Sequence, residues 1–223
     1  MLSCLLKNEE KVAVPKHMAV IPDGNRRFAR LNKLKGVEHS KRSLENLLEW
    51  CINKNIRELS VFAWSSENWS RPQEEIDTFM DNFLVSLDEW LQKEQQNIRF
   101  IFVSSSPHRL NSDIRKKMYD LSLFTQENTK ITLYIYVSYG FTEDICQADM
   151  CHDFKRQSVV PSWASNPDVL IRTSGEQRLS NFCLWHLTYT ELIFVDTLFP
   201  ACDETTWDMC LDIFSKRSRR HGK

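Results

Sequence analysis

Residues 17–30 read His-Met-Ala-Val-Ile-Pro-Asp-Gly-Asn-Arg-Arg-Phe-Ala-Arg. A run of strand length, His17–Pro22, passes directly into an Asp-Gly turn and then into a helical stretch. The run does not alternate apolar with polar, as expected of a strand covered on both faces. Working outward, similar runs recur at Glu58–Ala63, Ile98–Val103, Ile131–Val137, Asp168–Arg172 and Leu192–Val195. Amphipathic stretches separate them. Leu44, Leu47, Leu48, Cys51 and Ile52 share one helical face. Ile76, Phe79, Met80, Phe83, Leu84, Leu87, Trp90 and Leu91 form a longer stripe at spacings of three and four. Ser70, Pro72, Glu74 and Glu75 read as the start of that second helix. Ile114, Met118, Leu121 and Phe124 predict a third helix, and Trp207, Leu211 and Phe214 a last one. Strand alternating with helix predicts a single α/β domain, a parallel sheet wrapped by helices, with ligands at the carboxyl ends of the strands. Residues 147–166 have weak periodicity and read as loop plus a short helix.

The composition agrees with one domain: 223 residues, 42% hydrophobic, 26% charged. A chain of this size buries about 70% of its unfolded surface and needs no disulfide or metal staple. Twenty-nine Lys and Arg against thirty Asp and Glu leave a net charge of −1, which excludes a global polycation for nucleic acid. No apolar run approaches the ~18 residues of a membrane span. The opening Met-Leu-Ser-Cys-Leu-Leu-Lys-Asn-Glu-Glu is too short and too soon acidic for a signal peptide. Seven cysteines without a C-x-x-C pair read as reduced and structural. Cys146, Cys151 and His152 suggest a metal corner but lack a second pair. The expectation is a cytoplasmic enzyme-sized domain.

Three polar clusters follow predicted strands. The first is Asp23-Gly24-Asn25-Arg26-Arg27. A turn that opens a helix offers free backbone N–H groups to an anion, Gly24 permits close approach, and the arginines supply fork-shaped donors. Asp23 in that setting suggests Mg²⁺ shared with a diphosphate. An ordinary Asp-Gly turn with solvated arginines is the equally weighted alternative. The second cluster is Trp64-Ser65-Ser66-Glu67-Asn68-Trp69-Ser70-Arg71. The third is Arg172-Thr173-Ser174-Gly175-Glu176-Gln177-Arg178-Leu179-Ser180-Asn181, where two arginines and a serine around a glycine turn suit a second diphosphate. Neither a P-loop nor G-x-G-x-x-G is present.

HMAVIPDGNRRFAR, FAWSSENWSRP and DVLIRTSGEQRLSNFCLWHLTYTELIFVD closely resemble three signature blocks of the cis-prenyltransferases, in the family's order and spanning residues 17–200. These enzymes make undecaprenyl diphosphate in bacteria and dehydrodolichyl diphosphate in eukaryotes, and Asn25-Arg26-Arg27 resembles the eukaryotic form. The resemblance implies six mostly parallel strands flanked by helices, a hydrophobic tunnel and a homodimer. It implies Mg²⁺ as cofactor, with Asp23 as principal ligand and Glu191 assisting across the dimer. Gly24, Asn25, Arg26, Arg27, Lys35 and His39 would hold the allylic diphosphate, farnesyl or geranylgeranyl. Arg172, Arg178 and Ser180 would hold isopentenyl diphosphate. Ser65, Asn68 and Asn25 would lie near the reacting carbons, and Trp69 and Arg71 are further substrate-binding positions. The activity implied is sequential cis-condensation, supplying a dolichol-type carrier for glycosylation.

The same resemblance divides the chain into an extension (1–16), a catalytic domain (17–200) and a C-terminal helix with a basic tail (201–223). Lys216 to Lys223 reads by composition as a solvated or lipid-attracted run. Arg220-His221-Gly222 also matches the Arg-x-Gly that self-sufficient members insert into the partner's site. The stretches 139–144 and 147–166 and Glu38 depart from the family pattern, and the departures bear on the tunnel wall and product length. The competing expectations are a catalytic subunit that needs an accessory partner and a non-catalytic binding subunit. A strongly apolar product suggests peripheral association with the cytosolic face of the endoplasmic reticulum.

Overall fold

The computed structural model describes residues 13–34, 38–92, 97–147 and 158–218. Lys35, Cys151, His152, Arg220 and Gly222 lie outside them. The described elements run β1 (His17–Ile21), α1 (Asn25–Leu31), α2 (Glu38–Asn53), β2 (Glu58–Ser65), α3 (Gln73–Gln92), β3 (Ile98–Val103), α4 (Ser112–Phe124), β4 (Ile131–Tyr139), α5 (Phe141–Gln147), β5 (Val169–Arg172), β6 (Glu191–Phe194) and α6 (Glu204–Ser215). The six strands form one sheet in the order β3-β4-β2-β1-β5-β6. Every pairing is parallel.

Both faces of the sheet are buried, which is why the strand sequences do not alternate. Met18 and Val20 of β1 point into a core shared with α2, α3, α4 and α6. Ala19 and Ile21 point the other way, into a smaller core with Phe62, Tyr134, Tyr136, Tyr139, Phe182 and Cys183. In α3, Ile76, Met80, Phe83, Leu87 and Trp90 are buried, and Phe79, Leu84 and Leu91 pack partly buried against them. Burying a side chain such as Leu87 contributes about 2 kcal/mol. Caps fix the helix starts: Asn111 Oδ1 accepts from Ile114 N at 2.8 Å, and Asp203 Oδ1 from Thr206 N at 2.9 Å.

Two expected details differ. Ser70 does not cap α3: it ends a 3-10 turn over Ser66–Ser70, its hydroxyl donates to Glu67 O at 2.7 Å, and α3 starts at Gln73. Phe124 is exposed, because α4 ends there and its turn inward is completed by Leu121.

The chain leaves β1 towards β2 on one side, while β5 lies on the other. The crevice at the carboxyl ends of β1 and β5 is thus the switch point of the sheet. Loop anchoring around it relies on buried polar groups. Asp144 in α5 is 1% exposed and accepts from Tyr139 Oη at 3.0 Å, Ser158 Oγ at 2.8 Å and Val159 N at 3.0 Å. Asp144→Ala strands those three donors and should lower stability by about 3 kcal/mol, read from the urea midpoint.

Candidate active site

The turn after β1 is built to hold one carboxylate still. Gly24 adopts φ +97°, and a Cβ there would meet Leu198 Cδ2 at 2.8 Å, so only glycine fits without strain. The Asp23 carbonyl accepts from Thr173 Oγ1 at 2.7 Å and Phe199 N at 3.0 Å. Its carboxylate accepts from Gly24 N at 2.6 Å and Arg172 Nη2 at 2.8 Å. Half-burial by itself lifts the Asp23 carboxyl. The bonds from Arg172 and Gly24 N and the charges of Arg172 and Arg27 outweigh it and hold the group below the usual aspartate range. Asn25 opens α1: its Nδ2 donates to Pro22 O at 2.7 Å, and its Oδ1 accepts from Ser40 Oγ of α2 at 2.8 Å.

Arg172, the last residue of β5, is the buried cation opposite. Besides Asp23 it donates through Nη1 to Arg178 O at 2.5 Å and Ser180 Oγ at 2.8 Å. The loop it anchors runs through left-handed residues Ser174, Gly175, Ser180 and Asn181. Ser174 Oγ and O accept from Arg27 Nη2 at 2.5 and 3.2 Å. Glu176 pairs with Arg27 at 3.4 Å and also with Arg178. Asn181 ties this loop to its neighbours: its Oδ1 accepts from Thr142 N at 3.0 Å, and its Nδ2 donates to Glu67 Oε1 at 2.8 Å.

The second cluster contributes from the end of β2. Ser65 N donates to Asn68 Oδ1 at 3.1 Å, which closes the 3-10 turn and brings both residues to the site. Arg71 lies over the Trp64 ring at 5.1 Å. Burial and the charge of Arg26 push its guanidinium down from its ordinary value, partly opposed by Glu75 and Asp23. Arg26 itself pairs with Glu75 at 3.1 Å.

These groups surround the mouth of a cavity of about 960 Å³. Arg26, Arg27, Lys41, Arg71, Arg172 and Arg178 line it against Asp23, Glu74, Glu75 and Glu176, an excess of positive charge. Deeper, the wall becomes Leu44, Val61, Ala63, Phe79, Phe83 and Trp90. From Glu75 to Trp90 along α3 the lined wall extends about 22 Å. One continuous space therefore offers anion-binding donors at one end and an apolar interior at the other.

Of the expected site residues, Asp23, Gly24, Asn25, Arg26, Arg27, Ser65, Asn68, Arg71, Arg172, Arg178 and Ser180 line this cavity together. Trp69 does not: its Nε1 donates to Ser138 Oγ at 2.9 Å, and Arg109 covers its ring, so it braces the wall. His39 packs on Phe28, outside the lining, with its Nε2 buried and lacking a hydrogen-bond partner. Glu191 is the first residue of β6, at the amino edge of the sheet, and meets Arg217 at 3.8 Å. Asp23 and Glu191 stand at opposite edges of the sheet within one chain, so the expected help from Glu191 is a matter of the partner's site, as the expectation had it. Ser40, Lys41, Ser174 and Asn181 were missed. Ser174 and Asn181 lie inside the third cluster, where their hydrogen-bonding side chains were a signal. Ser40 and Lys41 gave none.

Among the described residues no three His, Cys, Asp or Glu side chains converge as a metal cage. Asp23, a half-buried carboxylate kept ionised beside arginines, fits Mg²⁺ bound together with a diphosphate.

Comparison with known proteins agrees with this geometry. The family model described as "Putative undecaprenyl diphosphate synthase" matches residues 21–222. The chain is 36% identical to an isoprenyl transferase of Neisseria gonorrhoeae, over 96% of this chain and 92% of that one. It is also 36% identical to a farnesyl-diphosphate-specific ditrans,polycis-undecaprenyl-diphosphate synthase of Xanthomonas campestris, over 94% and 89%. Among solved structures, a probable undecaprenyl diphosphate synthase from Campylobacter jejuni superposes with TM-score 0.80 at 30% identity, covering 95% of this chain and 100% of that one. A lavandulyl diphosphate synthase from Lavandula x intermedia, in complex with dimethylallyl diphosphate, gives TM-score 0.83 at 28% identity, covering 94% and 98%.

Because the Asp23 carboxyl is depressed in the folded chain, the stability of its pairing with Arg172 is present above the ordinary aspartate range and lost as pH falls through the lower folded value. The difference in urea midpoint between the native chain and Asp23→Asn should hold at neutral pH and shrink below about pH 4. A gap independent of pH would show that the charge of Asp23 does not carry the contact.

Proposed function

The chain belongs to the cis-prenyltransferase (undecaprenyl diphosphate synthase) family, and from that premise we propose that it joins isopentenyl diphosphate repeatedly to an allylic diphosphate, farnesyl diphosphate in the first round. The observation that carries this reading is the single cavity with an arginine-lined mouth around Asp23 and an aliphatic and aromatic interior. A substrate with a diphosphate head and a growing hydrocarbon tail needs both ends in one space.

In the first step the allylic C1–O bond breaks and diphosphate departs. The isopentenyl C4 then bonds to allylic C1, and a proton leaves isopentenyl C2 as the cis double bond forms. Asp23 would hold Mg²⁺, and the bound ion would neutralise the charge that develops on the leaving diphosphate. Arg27 and Arg26 bind the allylic diphosphate, and Arg172, Arg178 and Ser180 the isopentenyl diphosphate, each through charge-assisted bonds. Asn25, fixed by Ser40 and Pro22, and Ser65 hold the proton acceptor, a diphosphate oxygen or a water.

The product assigned is a ditrans,polycis-polyprenyl diphosphate. The dolichol-type assignment rests on Asn25-Arg26-Arg27. The named bacterial relatives favour the undecaprenyl product instead, and chain length decides between them. We further assign the chain to a homodimer in which Arg220 and Gly222 of the tail complete the partner's site and Glu191 acts across the interface. Support comes from exposed Leu184, Trp185, Tyr189 and Leu192 beside the edge strand β6, apolar surface suited to a second copy. No described helix is long and apolar enough to cross a membrane. Release of the lipid product favours a cytosolic membrane face, that of the endoplasmic reticulum for a dolichol-type product.

The purified chain with Mg²⁺, farnesyl diphosphate and radiolabelled isopentenyl diphosphate should yield a ladder of long polyprenyl diphosphates. A folded, dimeric sample that forms no product would transfer the activity to a complex with an accessory subunit. Asn25→Ala should lower kcat about 100-fold with little change in KM, and an unchanged kcat would remove Asn25 from the proton transfer.

A further inference from the structure

Glu176 sits between the two sets of diphosphate ligands. Its Oε1 lies 3.4 Å from Arg27 Nη2, on the helix that follows β1. Its Oε2 pairs with Arg178 Nη1, in the loop that follows β5. One carboxylate thus neutralises one arginine from each subsite. The backbone that carries it is fixed: Ser174 N donates to Thr197 O at 2.8 Å and Gly175 N to Val195 O at 2.9 Å. The side chain is only partly buried and can swing away while the loop stays in place. We propose that Glu176 is a shared counter-ion whose displacement couples the two subsites, so that binding of one diphosphate favours binding of the other.

The coupling follows from the rigidity of a planar carboxylate. A diphosphate that reaches Arg27 offers it several charge-assisted bonds and repels the Glu176 carboxylate. Because both oxygens belong to one group, leaving Arg27 also breaks the contact with Arg178. The second diphosphate then meets an arginine whose protein partner has already gone. The same holds in reverse order, as linkage requires. Glu75 offers a contrast: among the described residues its ion pair is with Arg26, on the side of the first cluster alone.

This inference rests on the prenyltransferase reading, and its test separates the two. Farnesyl thiodiphosphate, whose carbon–sulfur bond ionises poorly, and isopentenyl diphosphate form an unreactive pair. Calorimetry with Mg²⁺ gives the Kd of each alone and with the other saturating, hence a coupling factor. Direct repulsion between the two diphosphates is common to all variants and cancels in the ratio of coupling factors. That ratio, native over Glu176→Gln, should be about two to five, the range expected for partly exposed ion pairs. Glu176→Ala should match Glu176→Gln, and Glu75→Gln should keep the native coupling. Equal coupling in native and Glu176→Gln chains of unchanged Tm overturns the inference alone. A native chain that binds neither ligand overturns the prenyltransferase reading and the inference with it.

Discussion

The ion pair between Arg172 and Asp23 is the constraint from which the rest of the site follows. β1 and β5 pair in register with Ile21 opposite Arg172, so the guanidinium leaves β5 beside the last residue of β1 and Asp23 follows two residues on. The Arg172 side chain is only 4% exposed. A guanidinium so buried is tolerated only if paired and hydrogen-bonded, and loss of one partner would cost several kcal/mol. Asp23, Arg178 O and Ser180 Oγ meet that need at the two terminal nitrogens, while Nε is buried without a hydrogen-bond partner among the described residues. Satisfying Arg172 therefore sets three things together: the charge of Asp23, the path of the loop through Ser180, and the separation between the two arginine sets. The unusual backbone at Gly24, Ser174 and Ser180 is the geometric consequence.

Much of the fold was legible because both faces of the sheet are covered. Largely apolar runs such as His17–Pro22 and Ile98–Val103 have few alternatives to a buried parallel strand; the second matches its strand at both ends, and the first at its start, one residue longer than β1. The α3 stripe was equally plain, since a helix against a sheet must keep its apolar residues on one side. Boundaries were harder where polar residues continue a strand. β2 extends through Trp64 to Ser65 because Trp64 is buried in the core beside Phe79, a tertiary contact that local pattern does not carry. The start of α3 was misplaced for the related reason that Ser70 had a nearer partner in Glu67 O.

The site divides along the same line. Residues at strand ends were readable, because parallel topology brings every carboxyl end to one edge. Asp23, Ser65 and Arg172 needed only that rule to be placed together. Glu191 lies outside the reach of that rule. It stands at the beginning of its strand, and nothing in its neighbours in sequence distinguishes a group for a partner's site from a surface carboxylate. Trp69 is expected at the substrate only from the resemblance. Its indole N–H has a structural acceptor in Ser138, more than sixty residues away, which local sequence does not show. Ser40 and Lys41 come to the cavity only through the packing of α2 against the turn after β1, which no spacing announces.

The cavity's polarity gradient is written on α3. Glu74, Glu75, Thr78, Asn82 and Ser86 face the space along with Phe79, Phe83 and Trp90, so polar groups thin out as the helix runs from the carboxyl to the amino edge of the sheet. On α3 the charged lining is confined to the first turn, Glu74 and Glu75; Lys41 of α2 also lines the space and pairs with Glu89 of α3. A diphosphate is held where donors converge, and burial of hydrocarbon is favourable only away from them. An amphiphile entering this space accordingly has one stable direction, head at Asp23 and tail towards Trp90. Lengthening it at the head end moves the tail deeper into apolar wall while the reacting carbons stay among the same arginines. On the proposed reaction, one set of polar residues would serve every round of addition, because what changes between rounds would lie along α3 and not around Arg172.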